Sequence, residues 1–259
     1  MRKPPDIRGL IRTFLDPWKR RKDVLGALFC GSYAVGLESR FSDIDLYIIL
    51  SDQASARERG DRIVEGYVVE YNADPIRYIQ KLQKEQYEAG IRHCARKLAT
   101  GKIIFDKNGA VRRLQREAKR EMRKKFKRYD RIWVEMSKYY LWDQICDLRD
   151  LADQRHAGFA FAYYGGVQKI LDFYGKYQGV EVPRPVRMYR FLSEPDFRRR
   201  YNIAPFPDGK FMRMAIWCFK TPSLKRIERL TKYVQEKMGG FSLDGWRLRV
   251  PLNPKSSLK

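Results

Sequence analysis

The residues of this chain that could do chemistry gather in one stretch, FCGSYAVGLESRFSDIDLYIIL, over positions 29–50. Asp43 and Asp45 stand two apart at the start of an apolar run. On a β-strand residues i and i+2 project from one face, so the two carboxylates point together while Ile44 and Leu46 turn the other way into a core. Two carboxylates on one face form a hard oxygen site that suits magnesium. Upstream, Gly31 lets backbone come close to a phosphate, and Ser32, opening a short helix of small residues, adds a hydroxyl and amide donors. A carboxylate pair needs a third ligand to hold two ions about 3.5–4 Å apart for an in-line phosphoryl displacement. Glu70 is the candidate: it sits mid-strand in YVVEYNA and shares a face with Val68 and Asn72. The competing reading is an exposed strand charge, with Tyr71 as the inward residue.

These side chains need a sheet to position them. The run VLGALFC (24–30) reads as a buried strand that delivers the Gly31-Ser32 turn, and DIDLYIIL (43–50) as a second strand. YVVEYNA (67–73) follows the Gly66 turn as a third, and Asp74-Pro75 opens a helix. KIIFD (102–106) is an edge strand closed by Lys107-Asn108-Gly109. Beyond Gly109 the period changes. Leu114, Ala118, Met122 and Phe126, continued by Tyr129, Ile132, Met136 and Tyr140, form the stripe of one long amphipathic helix. A second helix covers 158–177, and the two prolines of VEVPRPV (180–186) make a connector. Thr221-Pro222 reads as the cap and first turn of a last helix, with Leu224, Ile227, Leu230 and Val234 inward and Gly239-Gly240 as its stop. From Phe241 onward a loosely held tail is expected.

The string GSYAVGLESRFSDIDL resembles the Gly-Ser and Asp-x-Asp signature of the DNA polymerase beta-like nucleotidyltransferase superfamily, including its minimal and antibiotic-modifying members. Either half of the signature is weak alone; joined at this spacing, with a later strand carboxylate, the two are strong. The resemblance implies an α+β fold, in which a mixed sheet with flanking helices over residues 1–109 forms the catalytic domain. An all-helical domain over 110–259 follows. It implies that Gly31 and Ser32 hold the triphosphate of an NTP, with ATP the expected co-substrate. Asp43 and Asp45 would bind two Mg2+ ions, and Glu70 would complete the site beside the acceptor hydroxyl. The reaction would move a nucleoside monophosphate to that hydroxyl. The third carboxylate of the family is often aspartate, which makes Glu70 the weakest match.

The helical half would supply the acceptor side. Asp143, Asp147 and Asp150 fall at i, i+4 and i+7, on one helix face. Asp147 is the candidate general base, resembling in role a carboxylate of the antibiotic nucleotidyltransferases; the plainer reading is an acidic stripe paired with Arg149 and Arg155. Lys169 is a candidate triphosphate contact, as is Lys176. The aromatics Phe159, Phe161, Tyr163 and Tyr164 read as packing.

Composition sets the bounds. With 44% hydrophobic residues the chain has ample core material, while 54 Lys+Arg against 31 Asp+Glu give +23, so phosphate-rich partners come first. The basic run 112–131 could lie along RNA or DNA, or be a solvated helix face. The same charge suits a neutral or anionic small-molecule acceptor better than a polycationic antibiotic, and it keeps RNA, or a protein hydroxyl, as alternative acceptors. A non-catalytic binding protein with this fold is the third possibility. Four scattered cysteines without a CxxC pair, and two histidines, exclude a readable zinc site or disulfide framework. Positions 1–23 lack the apolar stretch of a signal peptide and no run could span a bilayer, so a soluble, cytoplasmic protein is expected.

Overall fold

Branched apolar residues place both faces of β2 (Ile44–Leu50) in a core, and the rest of the first unit is built around that strand. The computed structural model describes residues 6–250. β2 pairs antiparallel with β1 (Val24–Cys30), which pairs antiparallel with the edge strand β5 (Lys102–Asp106). On its other side β2 runs parallel to β4 (Tyr67–Pro75), and β3 (Glu58–Val64) closes the sheet in the order β3-β4-β2-β1-β5. β3 and β4 form a hairpin through Glu65 and Gly66, both at positive φ as a two-residue turn of matching twist requires.

The sheet is covered on both sides. α1 (Ile7–Arg20) lays Leu10, Ile11, Phe14, Leu15 and Trp18 on one face, against Phe29, Leu46 and Val69, and the short α2 (Gly31–Val35) adds Ala34. On the other face α3 (Ile76–Glu88), α4 (His93–Thr100) and α5 (Ala110–Glu121) bury Ile79, Leu98 and Leu114 against Leu28, Tyr47 and Ile49. Two covered faces explain why β2 reads as nearly continuous apolar text. Under the second layer lies one buried charge. Asp74 is 3% exposed and accepts from the Tyr47 hydroxyl at 3.0 Å and from Arg57 at 2.6 Å.

The second unit is helical: α6 (Arg131–Asp153), α7 (Phe159–Gln178), α8 (Pro185–Ser193), α10 (Gly209–Cys218) and α11 (Leu224–Lys237). Tyr163, Ile170, Leu171, Phe211, Ile227 and Leu230 are buried in it. No helix among the described residues is long and apolar enough to cross a membrane.

Four expectations change. The long helix expected across 114–140 is two helices, because α5 ends at Glu121 and Asp130, accepting from the Trp133 amide at 2.8 Å, caps a new start for α6. The compact units part at Lys124 and Lys125 rather than at 109 and 110, since α5 packs on the sheet; Asp196–Ala204, holding most of α9 (Pro195–Arg200), also belongs to the first unit. The last helix begins at Leu224 with Ser223 at its cap, and the Thr221 hydroxyl instead accepts from Arg226. Residues 241–250 are not a free tail. Trp246 stacks on Tyr139 with ring centroids 4.5 Å apart, and the buried Lys138 ammonium donates to the Gly240 carbonyl at 2.8 Å.

Candidate active site

β2 and β4 lie in parallel register with Asp45 opposite Glu70, so the second carboxylate of the Asp-x-Asp pair and the later strand carboxylate are neighbours by hydrogen-bonding geometry alone. Asp43, just before β2, completes the group. Asp43, Asp45 and Glu70 each present an oxygen, and the three oxygens lie within 4.8 Å of one another. Glu70 joins this cluster although Tyr71 is also packed, against Phe14 and Trp18 on the α1 side. The two readings of the strand did not exclude each other, because both sheet faces are covered.

Crowding leaves an electrostatic mark. Burial first, then the Asp45 and Glu70 charges, push the Asp43 carboxyl above the usual carboxylate range, against a backbone hydrogen bond that works the other way. An all-oxygen donor set of three carboxylates, only partly offset by basic neighbours, fits a divalent cation.

Gly31 sits at φ +72, and a Cβ there would overlap the Asp45 carboxylate. The turn thus requires glycine twice, for its left-handed backbone and for the space that lets Asp45 lie against it. Ser32 follows in the first turn of α2, half-buried, and its hydroxyl has no partner among the described residues. Residues 8–113 match the nucleotidyltransferase-domain family. This part of the chain is a nucleotidyltransferase domain.

Over 90% of this chain and 77% of the other, the fold aligns at 13% identity and a TM-score of 0.42 with the crystal structure of a nucleotidyltransferase-like protein from Exiguobacterium sibiricum 255-15. No curated protein matches the sequence.

Three basic residues touch the carboxylate cluster or the helix after the Gly31-Ser32 turn without having been singled out by sequence. Lys97, on α4, donates to Asp45 Oδ1 at 3.0 Å, with both side chains largely shielded from solvent. Burial opposes its ammonium, but Asp45, and to a lesser degree Glu70, more than offset this and hold the lysine above its ordinary range. Arg59, on β3, reaches Glu70 at 3.3 Å from an exposed position. Arg200 donates to the carbonyls of Val35 and Gly36 at 3.0 and 2.9 Å, satisfying the last turn of α2. No local pattern marks them: Lys97 lies 52 residues from Asp45, and Arg200 lies 165 residues from Val35. Next to the cluster, the Cys30 thiol is buried and pushed up to about 12, a structural and not a reactive group.

The remaining sequence candidates lie in the second unit. Asp143, Asp147 and Asp150 are exposed on α6, and Arg149 pairs with Glu228 at 2.8 Å rather than with this stripe. Lys169 is exposed on α7, and Lys176 lies over the Tyr129 ring. Tyr129, Trp133 and Phe173 pack on one another, which accounts for the aromatics near the basic run.

Proposed function

We propose that this chain is a metal-dependent nucleotidyltransferase that moves a nucleoside monophosphate from an NTP to an acceptor hydroxyl and releases pyrophosphate. The observation that carries the reading is the convergence of Asp43, Asp45 and Glu70 beside the Gly31-Ser32 turn of a nucleotidyltransferase domain. Asp43 and Asp45 would hold two Mg2+ ions, with Glu70 completing the one beside the acceptor. When bound, the ions neutralise the transferring phosphoryl group and favour ionisation of the attacking hydroxyl. Gly31 and Ser32 bind the triphosphate, Lys97 offsets the Asp45 charge while competing for its Oδ1, and Arg200 braces the helix behind the turn. ATP is the co-substrate in this reading, the acceptor is a neutral or anionic small molecule of the antibiotic type, and the protein works in the cytoplasm. Asp147 is assigned as the base that receives the acceptor proton, and Lys169 as a phosphate contact; each assignment predicts a loss of turnover on substitution by alanine.

A second acceptor class, an RNA hydroxyl, is favoured by the +23 charge, which attracts polyanions. The deciding experiment is pyrophosphate release with magnesium and each NTP in turn, for the wild type and Asp45→Ala, with an antibiotic panel and then with pooled tRNA. Turnover that needs Asp45 and one acceptor pool supports the reading and chooses the acceptor. A protein that binds neither metal nor NTP overturns it.

A further inference from the structure

The positive charge is not spread evenly. Between residues 110 and 124, all within the first unit, seven arginines and lysines stand against two glutamates. The apolar side of α5 is spoken for: Ala110, Val111, Leu114 and Ala118 are buried against the sheet. The opposite side presents a stripe of Arg113, Arg116 and Arg120 at spacings of three and four, with Lys119 beside them and Arg123 in the turn that follows the helix, all exposed. Together with Glu117 they line a shallow groove of about 510 Å³.

This stripe carries a cost that a surface kept only for solubility would avoid. Like charges three and four apart on a helix repel by about 0.2–0.5 kcal/mol per pair. Arg112 and Arg113 also occupy the first turn, which holds no acidic residue, where the helix dipole favours anions. Little of this charge is neutralised from within: Glu117 accepts from Gln80 and Glu121 pairs with Lys124, while Arg116, Lys119, Arg120 and Arg123 have no acidic partner among the described residues. On α11, by contrast, glutamates alternate with the cations, and Glu228 engages Arg149.

We infer that the exposed face of α5 is a docking surface for the sugar–phosphate backbone of a structured RNA. Arginine forks grip phosphate oxygens two at a time, and four of the five stripe cations are arginine. The face has no exposed aromatic between 110 and 124, so it lacks the stacking platform that single strands require. With its apolar side buried, α5 has nothing to insert into a lipid surface. Ten residues of helix span about 15 Å, which faces roughly four phosphates of one strand. The choice of RNA over duplex DNA rests on the nucleotidyl-transfer reading: every RNA nucleotide offers a hydroxyl acceptor, whereas duplex DNA offers them only at its ends. α5 also lies against α4, which carries Lys97; the Gln115 side chain donates to the Leu98 and Gly101 carbonyls.

The test is fluorescence anisotropy of the full chain with a labelled RNA hairpin and, separately, a duplex DNA of equal length, across about 50 to 200 mM salt. About four contacts give a log–log salt slope near −3 for the wild type. The triple variant Arg116→Gln/Arg120→Gln/Arg123→Gln weakens hairpin binding at least tenfold and flattens the slope by about two units. A comparison variant, Lys225→Gln/Arg229→Gln/Lys232→Gln on α11, removes the same charge and stays within about twofold. Melting of the stripe variant at or above the wild-type temperature shows that it is folded, since its repulsions are relieved. Equal losses in the two triples, or no hairpin binding by the wild type, overturn the inference; tighter binding of duplex DNA overturns the assignment to RNA. Asp45→Ala is assayed alongside and keeps its hairpin affinity. NTP turnover without RNA binding therefore sinks the docking surface alone, and RNA binding without turnover sinks the enzymatic reading alone.

Discussion

Replacing Asp43 by asparagine should stabilise the metal-free protein and remove its response to magnesium. The three carboxylate oxygens lie within 4.8 Å of one another. At that spacing a pair of unit charges repels by about 1 kcal/mol at the dielectric of water and about 3.5 kcal/mol at an effective dielectric of 20. Asp43 has two such neighbours, but it is partly open to solvent and Lys97 already offsets part of the Asp45 charge, so the low end applies. A gain of about 1–2 kcal/mol corresponds to a rise of roughly 2–8 °C in the melting temperature of a chain this size. The assay is thermal melting in chelator and in a magnesium series. The wild type should rise with magnesium as binding to the native state draws the equilibrium over, while the variant stays flat, so the two curves cross. A variant that melts below the wild type in chelator would refute the crowding argument, and one that responds equally to magnesium would refute the metal site.

Lys97→Met removes the cation that competes for Asp45 Oδ1; divalent-ion affinity by calorimetry should tighten about tenfold, or about 1.4 kcal/mol, while the metal-free protein melts lower. Asp74→Ala leaves the Tyr47 hydroxyl and Arg57 without their buried acceptor, and chemical denaturation should show a loss of about 2–4 kcal/mol. Asp208 tests pH dependence in the second unit. Burial raises its pKa, but the Phe211 amide and the Tyr174 and Tyr233 hydroxyls outweigh that and hold it below the usual range. The native state therefore binds fewer protons than the unfolded one, and the stabilisation is complete above the unfolded pKa and lost as pH falls through the native one. Acid titrations followed by circular dichroism should show a shallower fall below about pH 4 in Asp208→Asn than in the wild type.

What the sequence conveyed follows from how local each signal is. β1, β2, β4 and β5 announce themselves as short apolar runs, and Asp43 and Asp45 share a strand face by parity alone. Glu70 needed one long-range fact, the parallel register of β2 and β4, which the order of strands does not disclose. β3 went unseen because ERGDRIV is charged; it is an edge strand, and charge there discourages pairing with other chains. The continuous stripe across 114–140 hid a break, since residues on either side of a helix end can keep one period by coincidence while Asp130 restarts the hydrogen-bond ladder. Lys97 and Arg200 act across the fold and were beyond any spacing argument.

The return of Asp196–Ala204 to the first unit bears on how the protein is made. The sheet and its carboxylates are complete in sequence by Lys124, yet the segment that holds Arg200 leaves the ribosome only after residues 125–195. At synthesis rates of about 5–20 residues per second this is a delay of roughly 4–14 s. Through that interval the nascent sheet has its three carboxylates but not the brace on the helix behind Gly31-Ser32. The newborn domain thus waits, unfinished, for a clasp carried by a later stretch of its own chain.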